Sequence, residues 1–475
     1  MSAEPPSGPE PAVPSLDVPR CVHVVAVGGT GMAPIATVMA GMGHRVSGSD
    51  LQASATLERL RSLGIRTAVG HDPANLPDDV ELVAVSTAVP DDNPEVVEAR
   101  RRGVPVVRRN VVLAAIASQR RVLAVAGTHG KTTTSAMLAL ILVEAGLDPS
   151  FVVGGRVPGL GEGGAAWGTG EWFVLEADES DGSGFAVPHH GAVITNVEPD
   201  HLEYHGTVAA LHAAFARFLA ATEGPRLVCV DDPVAADIGR GADATGYGLA
   251  DGADLHMVEL RAGRDGIGFD LWRRGERLGP VHVPLPGVHN ARNACAALGL
   301  ALEVGVPFAD AAAALGRFGG VDRRFQHRGE AAGVTFVDDY AHLPTEVAAA
   351  VRTARDGGWR RVVVVFQPHR YSRTAALWRD FADAFEGADA LVLTDVYPAG
   401  EAPRPGVDGT LVLHAVLDAH GRRPVAYLPR LDDVVPYLAD RLRPGDLCLT
   451  LGAGDLTTLP DRVIDRLHAR EEGRR

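Results

Sequence analysis

Arg121-Val-Leu-Ala-Val-Ala-Gly-Thr-His-Gly-Lys-Thr-Thr-Thr-Ser135 is a short apolar strand running into a glycine-punctuated turn, and a helix-forming run, Ala136-Met-Leu-Ala-Leu-Ile-Leu-Val-Glu-Ala145, follows it. Strand, turn and helix in that order predict a phosphate loop. Gly127, Thr128, His129, Gly130, Lys131, Thr132 and Thr133 would aim backbone N–H groups at anionic oxygens, and the helix start adds partial positive charge. Lys131 would reach the outer phosphates of a nucleotide, with the Thr132 hydroxyl on Mg²⁺. The loop is shorter than the common eight-residue form, because Val125 stands where that form has glycine. Lys131 is the only lysine among 475 residues. Arginine supplies every other fixed positive side chain, so this position calls for a compact ammonium where a planar fork does not fit. The plain alternative is a chance turn before a helix.

A chain of 475 residues exceeds one ordinary core and predicts two to four domains. With 46% apolar and 5% aromatic residues it reads as an α/β enzyme. A net charge of −15 argues against nucleic-acid partners and anionic membranes, so an anionic ligand must be held by local arginines. Cys21, Cys229, Cys295 and Cys448 form no Cys-x-x-Cys pair and read as reduced core residues. No apolar run reaches ~18 residues, and no charged-then-apolar leader opens the chain, which predicts a cytoplasmic protein. Residues 1–18 are proline-rich and predict a disordered tail.

The first folded unit opens with the apolar strand Cys21–Val27, then the turn Gly28, Gly29, Thr30, Gly31, Met32 and a helix ending near Gly41. A second strand ends at Asp50, about twenty residues on. In the dinucleotide-fold pattern such a turn cradles a diphosphate and the acid caps a ribose. The spacing is not Gly-x-Gly-x-x-Gly, so a nicotinamide cofactor and another diphosphate nucleotide both stay open. A further strand ends at Ser86 and Thr87, where ligand contacts cluster in such sheets.

Two more strands follow the phosphate loop. One emerges onto Glu176, Asp178, Glu179 and Asp181, the other onto Asn196, Asp200 and His201. In an open parallel sheet these ends would be neighbours of the loop and would make a Mg²⁺ shell, although an acidic cluster after a strand also reads as a solvated loop. Pro286-Gly-Val-His289-Asn290-Ala-Arg-Asn293 lies at a helix start, where Asn amides suit an adenine edge and N-capping alone would explain Asn290. Beyond Arg323-Arg324-Phe325, four strands tipped with polar residues make a third α/β unit: those ending at Asp338-Asp339, Phe366, Asp395 and Leu451. Arg370 and Arg373 after one of them would grip a carboxylate, or are merely solvated.

These segments together resemble the Mur ligase family. The residues that carry the resemblance run in the family's order: Gly28–Met32, Ser47-Gly-Ser-Asp50, Gly127–Thr133, Glu176-Ala-Asp-Glu-Ser-Asp181, Thr195-Asn196 with Asp200-His201, Pro286–Asn290 with Asn293, Arg323–Phe325, Asp338–His342 with Pro344-Thr-Glu346, Gln367–Thr374 and Gly452–Asp455. The resemblance implies three domains: 19–119 for a UDP-sugar, 120–320 for ATP as a central P-loop-type ATPase sheet, and 321–475, Rossmann-like as is the first, for an amino acid. It implies ATP-dependent amide-bond formation in peptidoglycan precursor synthesis, with ATP and Mg²⁺ as cofactors.

By the same resemblance Gly28–Met32, Asp50, Ser86 and Thr87 hold the UDP-sugar, and Glu176 and His201, with Thr132, hold Mg²⁺. His289 and Asn293 meet adenine, Arg324 the phosphates, and Asp338 or Asp339 the ribose. His342, Arg370 and Arg373 face the amino acid. Lys131, Glu176, His201, Arg324 and His342 make up the implied catalytic set.

Many family members carry a carbamylated lysine for a second Mg²⁺. This chain has no lysine to spare, as in the alanine-adding branch, whose substrates are UDP-N-acetylmuramate and L-alanine, and Tyr340 and Glu346 fit that branch. A monomer or homodimer is expected. One departure stands out: where that branch reads His-His-Pro-Thr-Glu, this chain has His342-Leu343-Pro-Thr-Glu346. That leaves open a paralogue with a different acceptor or a weak, regulatory activity, and residues 21–50 alone leave open a dinucleotide-dependent oxidoreductase.

Overall fold

The computed structural model describes residues 15–86, 88–161, 163–180, 182–421 and 424–472. Thr87 and Asp181, both singled out above, lie outside the described residues, as do residues 1–14 of the expected tail. The tail's remainder departs from expectation: Leu16 is only 4% exposed and belongs to an apolar cluster with Val22, Met39 and Val46. Folded structure therefore begins ahead of residue 19, where burial of Leu16 and the hydrogen bond from Arg20 Nε to Ser15 O (2.5 Å) together hold the segment on the domain.

The first domain is a five-stranded parallel sheet in the order Arg66–Val69, Arg45–Asp50, Cys21–Val25, Leu82–Val85, Val106–Arg108. Two of its three inner strands, Cys21–Val25 and Leu82–Val85, are near-continuous apolar runs, as burial on both faces favours, while Arg45–Asp50 is largely polar. Strand order reverses between Cys21–Val25 and Leu82–Val85, and the turn Gly28–Met32 opens at that switch point, where such sheets place ligands. Helix Met32–Gly41 leaves the turn and buries seven of its ten residues.

A ten-stranded sheet forms the centre of the chain. Arg121–Ala126 runs parallel between Trp172–Glu176 on one side and Gly191–Ile194 on the other, with Val125 opposite Glu176 and Ala126 opposite Ile194. That register brings the ends of all three strands to one level, as expected. Helix Lys131–Glu144 is buried from Thr132 to Leu142. Beyond its polar first turn, from Ala136 to Val143, the helix is apolar on every side, which suits one packed within a domain.

The third domain carries a six-stranded sheet in the order Gln326–Ala331, Val334–Asp339, Asp446–Leu451, Arg361–Phe366, Ala390–Leu393, Val425–Tyr427. Four of these strands are the expected ones. Gln326–Ala331 pairs antiparallel at one edge, and Val425–Tyr427 is a three-residue strand at the other. Edge strands need no apolar run and tolerate charge, which is why Gln-His-Arg-Gly-Glu-Ala gave no signal. All four cysteines are buried, and none is in a disulfide. Among the described residues no helix is long and apolar enough to cross a membrane.

Candidate active site

The phosphate-type turn is held open by its neighbour strand. Thr128 N donates to Asn196 O (3.0 Å), His129 N to Asn196 Oδ1 (2.8 Å), and Asn196 Nδ2 and Thr195 Oγ1 donate back to His129 O (3.0 and 2.6 Å). Gly127 sits at φ 138°, and a methyl group there would collide with Thr195 Oγ1. Gly130 caps the helix at φ 81°, and its missing side chain leaves room for Asn293, whose Oδ1 would lie 2.5 Å from a methyl on that glycine. Asn293 is buried and backs the turn.

Lys131 folds back across this turn. Its ammonium donates to Gly127 O (2.5 Å), Thr128 O (3.2 Å) and both oxygens of Glu179 (3.0 and 2.9 Å). Burial alone would drive the ammonium toward neutrality, yet the carboxylates of Glu179, Asp178 and Glu176 outweigh it and hold Lys131 charged, above its usual range. Next to it the Thr132 hydroxyl donates to Glu176 Oε1 (3.0 Å), and the other Glu176 oxygen takes the Gly154 N–H (2.8 Å). Asp178 feels both Lys131 and His201 and lies below its usual range in spite of burial. His201 is at φ 51°, a left-handed conformation that turns its ring against Asp200 (Nε2 to Oδ2, 3.4 Å).

Lys131, Thr132 and Glu176 therefore converge, and Asp178 links them electrostatically to His201. A hydroxyl and a carboxylate side by side are the hard oxygen donors that Mg²⁺ prefers. Among the described residues no group of three or more His, Cys, Asp or Glu is placed to hold a metal ion by itself.

At the other turn, Asp50 Oδ2 accepts the Gly28 N–H (2.9 Å), so this acid shapes the turn itself. Ser86, at the neighbouring strand end, accepts from Ala88 N (3.3 Å). Arg109 packs on the turn: its Nη1 would lie 2.5 Å from a methyl on Gly31, and its Nη2 reaches Ser183 Oγ at 3.2 Å.

Within the third domain Asp338 is 1% exposed and accepts from Thr450 Oγ1 (2.6 Å) and Thr457 Oγ1 (2.7 Å). Asp339 accepts from Phe325 N and Ala341 N (both 2.7 Å), and burial pushes it up to about 6 against the pull of Arg324. Both acids thus brace the Arg323–Phe325 turn and its strand. Arg324 and Arg323 flank the Tyr340 ring at 5.1 and 4.8 Å.

His342 Nδ1 donates to Tyr340 O (2.9 Å) and sits 3.4 Å from Glu346 Oε2, which leaves Nε2 as an acceptor. Burial keeps His342 below its usual range although Glu346 opposes this. Its ring meets His369 edge-on (5.6 Å), His369 stacks on Tyr397, and Arg373 Nη1 donates to His369 Nδ1 (3.0 Å). Burial, His342, Arg373 and Arg370 bring His369 down to about 4, so it is neutral with its proton on Nε2. Leu343 is buried, and its N–H, like that of His342, donates to Glu346 Oε2.

Sequence reasoning placed Glu179 only among the strand-end acids that would make a Mg²⁺ shell, with a solvated loop as the alternative, and not on Lys131; it gave no role to Arg109 or His369. Arg109 is one of many arginines. His369 carried a usable signal, because it directly precedes Arg370 at a strand end.

Three consecutive stretches match family descriptions: Mur ligase family, catalytic domain over residues 21–121, Mur ligase middle domain over 125–301, and Mur ligase, glutamate ligase domain over 323–454. A UDP-N-acetylmuramate--L-alanine ligase from Desulforamulus reducens is 45% identical over 453 residues, 94% of this chain and 97% of its own. One from Acidothermus cellulolyticus is 47% identical over 464 residues, 95% and 96% of the two chains. The solved UDP-N-acetylmuramate-alanine ligase of Thermotoga maritima superposes with a TM-score of 0.81 at 28% identity, covering 95% of this chain and 100% of that one. Matched along three successive domains and at this identity over nearly its whole length, the chain belongs to the Mur ligase family.

Proposed function

We propose that this protein joins L-alanine to the lactyl carboxylate of UDP-N-acetylmuramate, using ATP, as a step of peptidoglycan precursor synthesis. What carries the reading is the turn at Lys131, Thr132 and Glu176 in a chain that aligns over 94% of its length with an enzyme of that name. A cytoplasmic location goes with it, because both nucleotide substrates are made inside the cell.

A carboxylate becomes acylating once an oxygen is made a leaving group. The lactyl carboxylate attacks the γ-phosphorus of ATP, the bond from that phosphorus to the bridging oxygen breaks and ADP leaves, and Lys131 together with the N–H groups of the Gly127–Thr133 turn offsets the charge that gathers on the transferring group. Thr132, Glu176 and His201 would hold Mg²⁺, which when bound draws charge from the phosphate oxygens. The resulting acyl phosphate loses phosphate when the amine nitrogen of alanine adds to its carbon, leaving the amide. The amine must be neutral to attack. His342, kept unprotonated by burial with Nε2 open as an acceptor, is suited to take its proton. Arg373 and Arg370 suit the carboxylate of the amino acid.

The test is phosphate release with UDP-N-acetylmuramate and each of the twenty amino acids. L-alanine should give the highest kcat/KM, and no release with any of them would sink the proposal. A second reading, a different acceptor, rests on Leu343, and glycine or L-serine exceeding L-alanine in that screen would establish it.

A further inference from the structure

Arg370 and Arg373 stand at the start of helix Tyr371–Leu377, and that start is held by a loop of the same domain, residues 394–409. Arg370 occupies the N-cap position, yet its side chain makes no capping bond. The cap comes from Glu401 instead. Its Oε2 accepts the Ser372 N–H (2.9 Å), and its Oε1 accepts the Ser372 hydroxyl.

A sharp bend brings Glu401 to this place. Glu401 N donates to Pro398 O (3.0 Å) across a turn whose central residues, Ala399 and Gly400, both have positive φ (48° and 86°). Just before that turn, Tyr397 N donates to Pro368 O and Tyr397 O accepts from Arg370 N, both at 2.8 Å. Arg370 is itself at φ 67°, a conformation that a long side chain rarely adopts and that persists only where neighbouring bonds impose it. Tyr397 supplies those bonds on one side of Arg370, and Glu401 supplies them on the other.

Burial pushes the Glu401 carboxyl up, but Ser372, Arg370 and Arg404 outweigh it and hold it ionised, below its usual range. Glu401 thus acts on Arg370 by charge while both its oxygens are engaged by Ser372. Among the described residues the exposed Arg370 guanidinium makes no hydrogen bond or ion pair, which leaves its donors for an incoming carboxylate.

We propose that Glu401 is a positioning residue of the amino-acid site, which by capping Ser372 fixes the backbone between Arg370 and Arg373 and presets both guanidinium groups for the carboxylate of L-alanine. The inference rests on the reading of those two arginines as the amino-acid grip. Without the cap the helix start frays, and L-alanine must restore its order on binding. The loss therefore falls on affinity for the amino acid and not on the handling of nucleotide.

The experiment is initial-rate measurement of ADP release, each substrate varied in turn, on Glu401→Ala, Glu401→Gln, Glu401→Asp and Ser372→Ala of the full chain. Glu401→Ala should raise the KM for L-alanine about fivefold or more and leave kcat and the KM values for ATP and UDP-N-acetylmuramate within about twofold. Glu401→Gln keeps an oxygen for the Ser372 N–H and should recover most of the loss. Glu401→Asp, one methylene short, should not. An L-alanine KM within about twofold of the parent in both Glu401→Ala and Ser372→Ala, or KM values that rise together for all three substrates, overturns the positioning role. Should Glu401→Ala fail to fold, Glu401→Asp and Ser372→Ala decide by the same measurements. Arg370→Ala and Arg373→Ala run alongside separate the two readings. If they raise the KM for L-alanine and the Glu401 variants do not, only the positioning role falls; if neither arginine variant raises it, the amino-acid grip falls as well.

Discussion

The Lys131 ammonium and the Glu179 carboxylate meet through both carboxylate oxygens, at 3.0 and 2.9 Å, beneath a turn whose carbonyls at Gly127 and Thr128 take the remaining donors. Four acceptors around one nitrogen define a pocket shaped for a point charge. A guanidinium is planar and larger, and cannot place its donors on all four without moving the turn. Lys131→Arg should therefore lower kcat by at least ~100-fold, about 2.7 kcal/mol of barrier, although charge is kept. Steady-state ADP release, with circular dichroism to confirm folding, checks this. Activity within about threefold of the parent would remove Lys131 from the chemistry.

The turn itself depends on Gly127. At φ 138° an L-residue is strained, and the added methyl meets Thr195 Oγ1, the hydroxyl that braces His129 O. Gly127→Ala should cost roughly 1–3 kcal/mol of stability. Its affinity for an ATP analogue should fall about tenfold or more, while that for the sugar nucleotide stays within about twofold. Urea unfolding and the two titrations separate these effects. Equal weakening of both ligands would mean that the damage is global.

The sheets were largely legible because parallel strands buried on both faces write themselves as apolar runs: Val22–Val25, Leu123–Ala126, Val362–Phe366 and Leu447–Leu451. The turns after them follow from glycine and from strand order. Gln326–Ala331 and Val425–Tyr427 were not legible, since an edge strand owes its place to a neighbour's open hydrogen bonds and not to its own composition. Pair partners were hidden for the same reason. Nothing in the sequence says that Glu179 and not Asp178 reaches Lys131, or that Asp50 turns back to Gly28 N, because both pairings depend on side-chain direction at a loop. The glycine turn alone also fitted a nicotinamide enzyme, and only the order of later motifs removed that choice.

Glu95 offers a test of the first domain alone. It is fully buried, and its carboxylate takes hydrogen bonds from Ser49 Oγ (2.5 Å), Asn75 Nδ2 (2.7 Å) and Asp72 N (3.3 Å), with His71 at 3.1 Å and His23 at 3.6 Å. Burial by itself would raise its pKa, but His23, Ser49 and Asn75 together bring it from 4.5 down to about 2. A depressed acid contributes stability that is complete above its unfolded pKa and lost as pH falls through the folded one. The shift is worth about 3 kcal/mol near neutrality. Glu95→Gln should be less stable by about that much at pH 7, with the difference falling to less than about half by pH 3. Urea midpoints of both proteins at the two pH values decide it, and a gap that does not change with pH would mean Glu95 contributes by packing.

Arg373 separates amino-acid recognition from nucleotide handling. Its Nη1 donates to His369 Nδ1 at 3.0 Å, which fixes the His369 proton on Nε2, and it lies close enough to His342 to depress that ring's pKa. A guanidinium beside two neutral imidazoles has positive charge to spare for an incoming carboxylate, and losing such a charge-assisted contact costs roughly 1.5–3 kcal/mol. Arg373→Ala should therefore raise the KM for L-alanine about tenfold or more and leave that for ATP within about twofold. Arg373→Lys should recover only part of the loss, because an ammonium cannot hold His369 and grip both carboxylate oxygens in one plane. Initial rates with each substrate varied in turn give both constants, and parallel rises in the two would place Arg373 outside the amino-acid site.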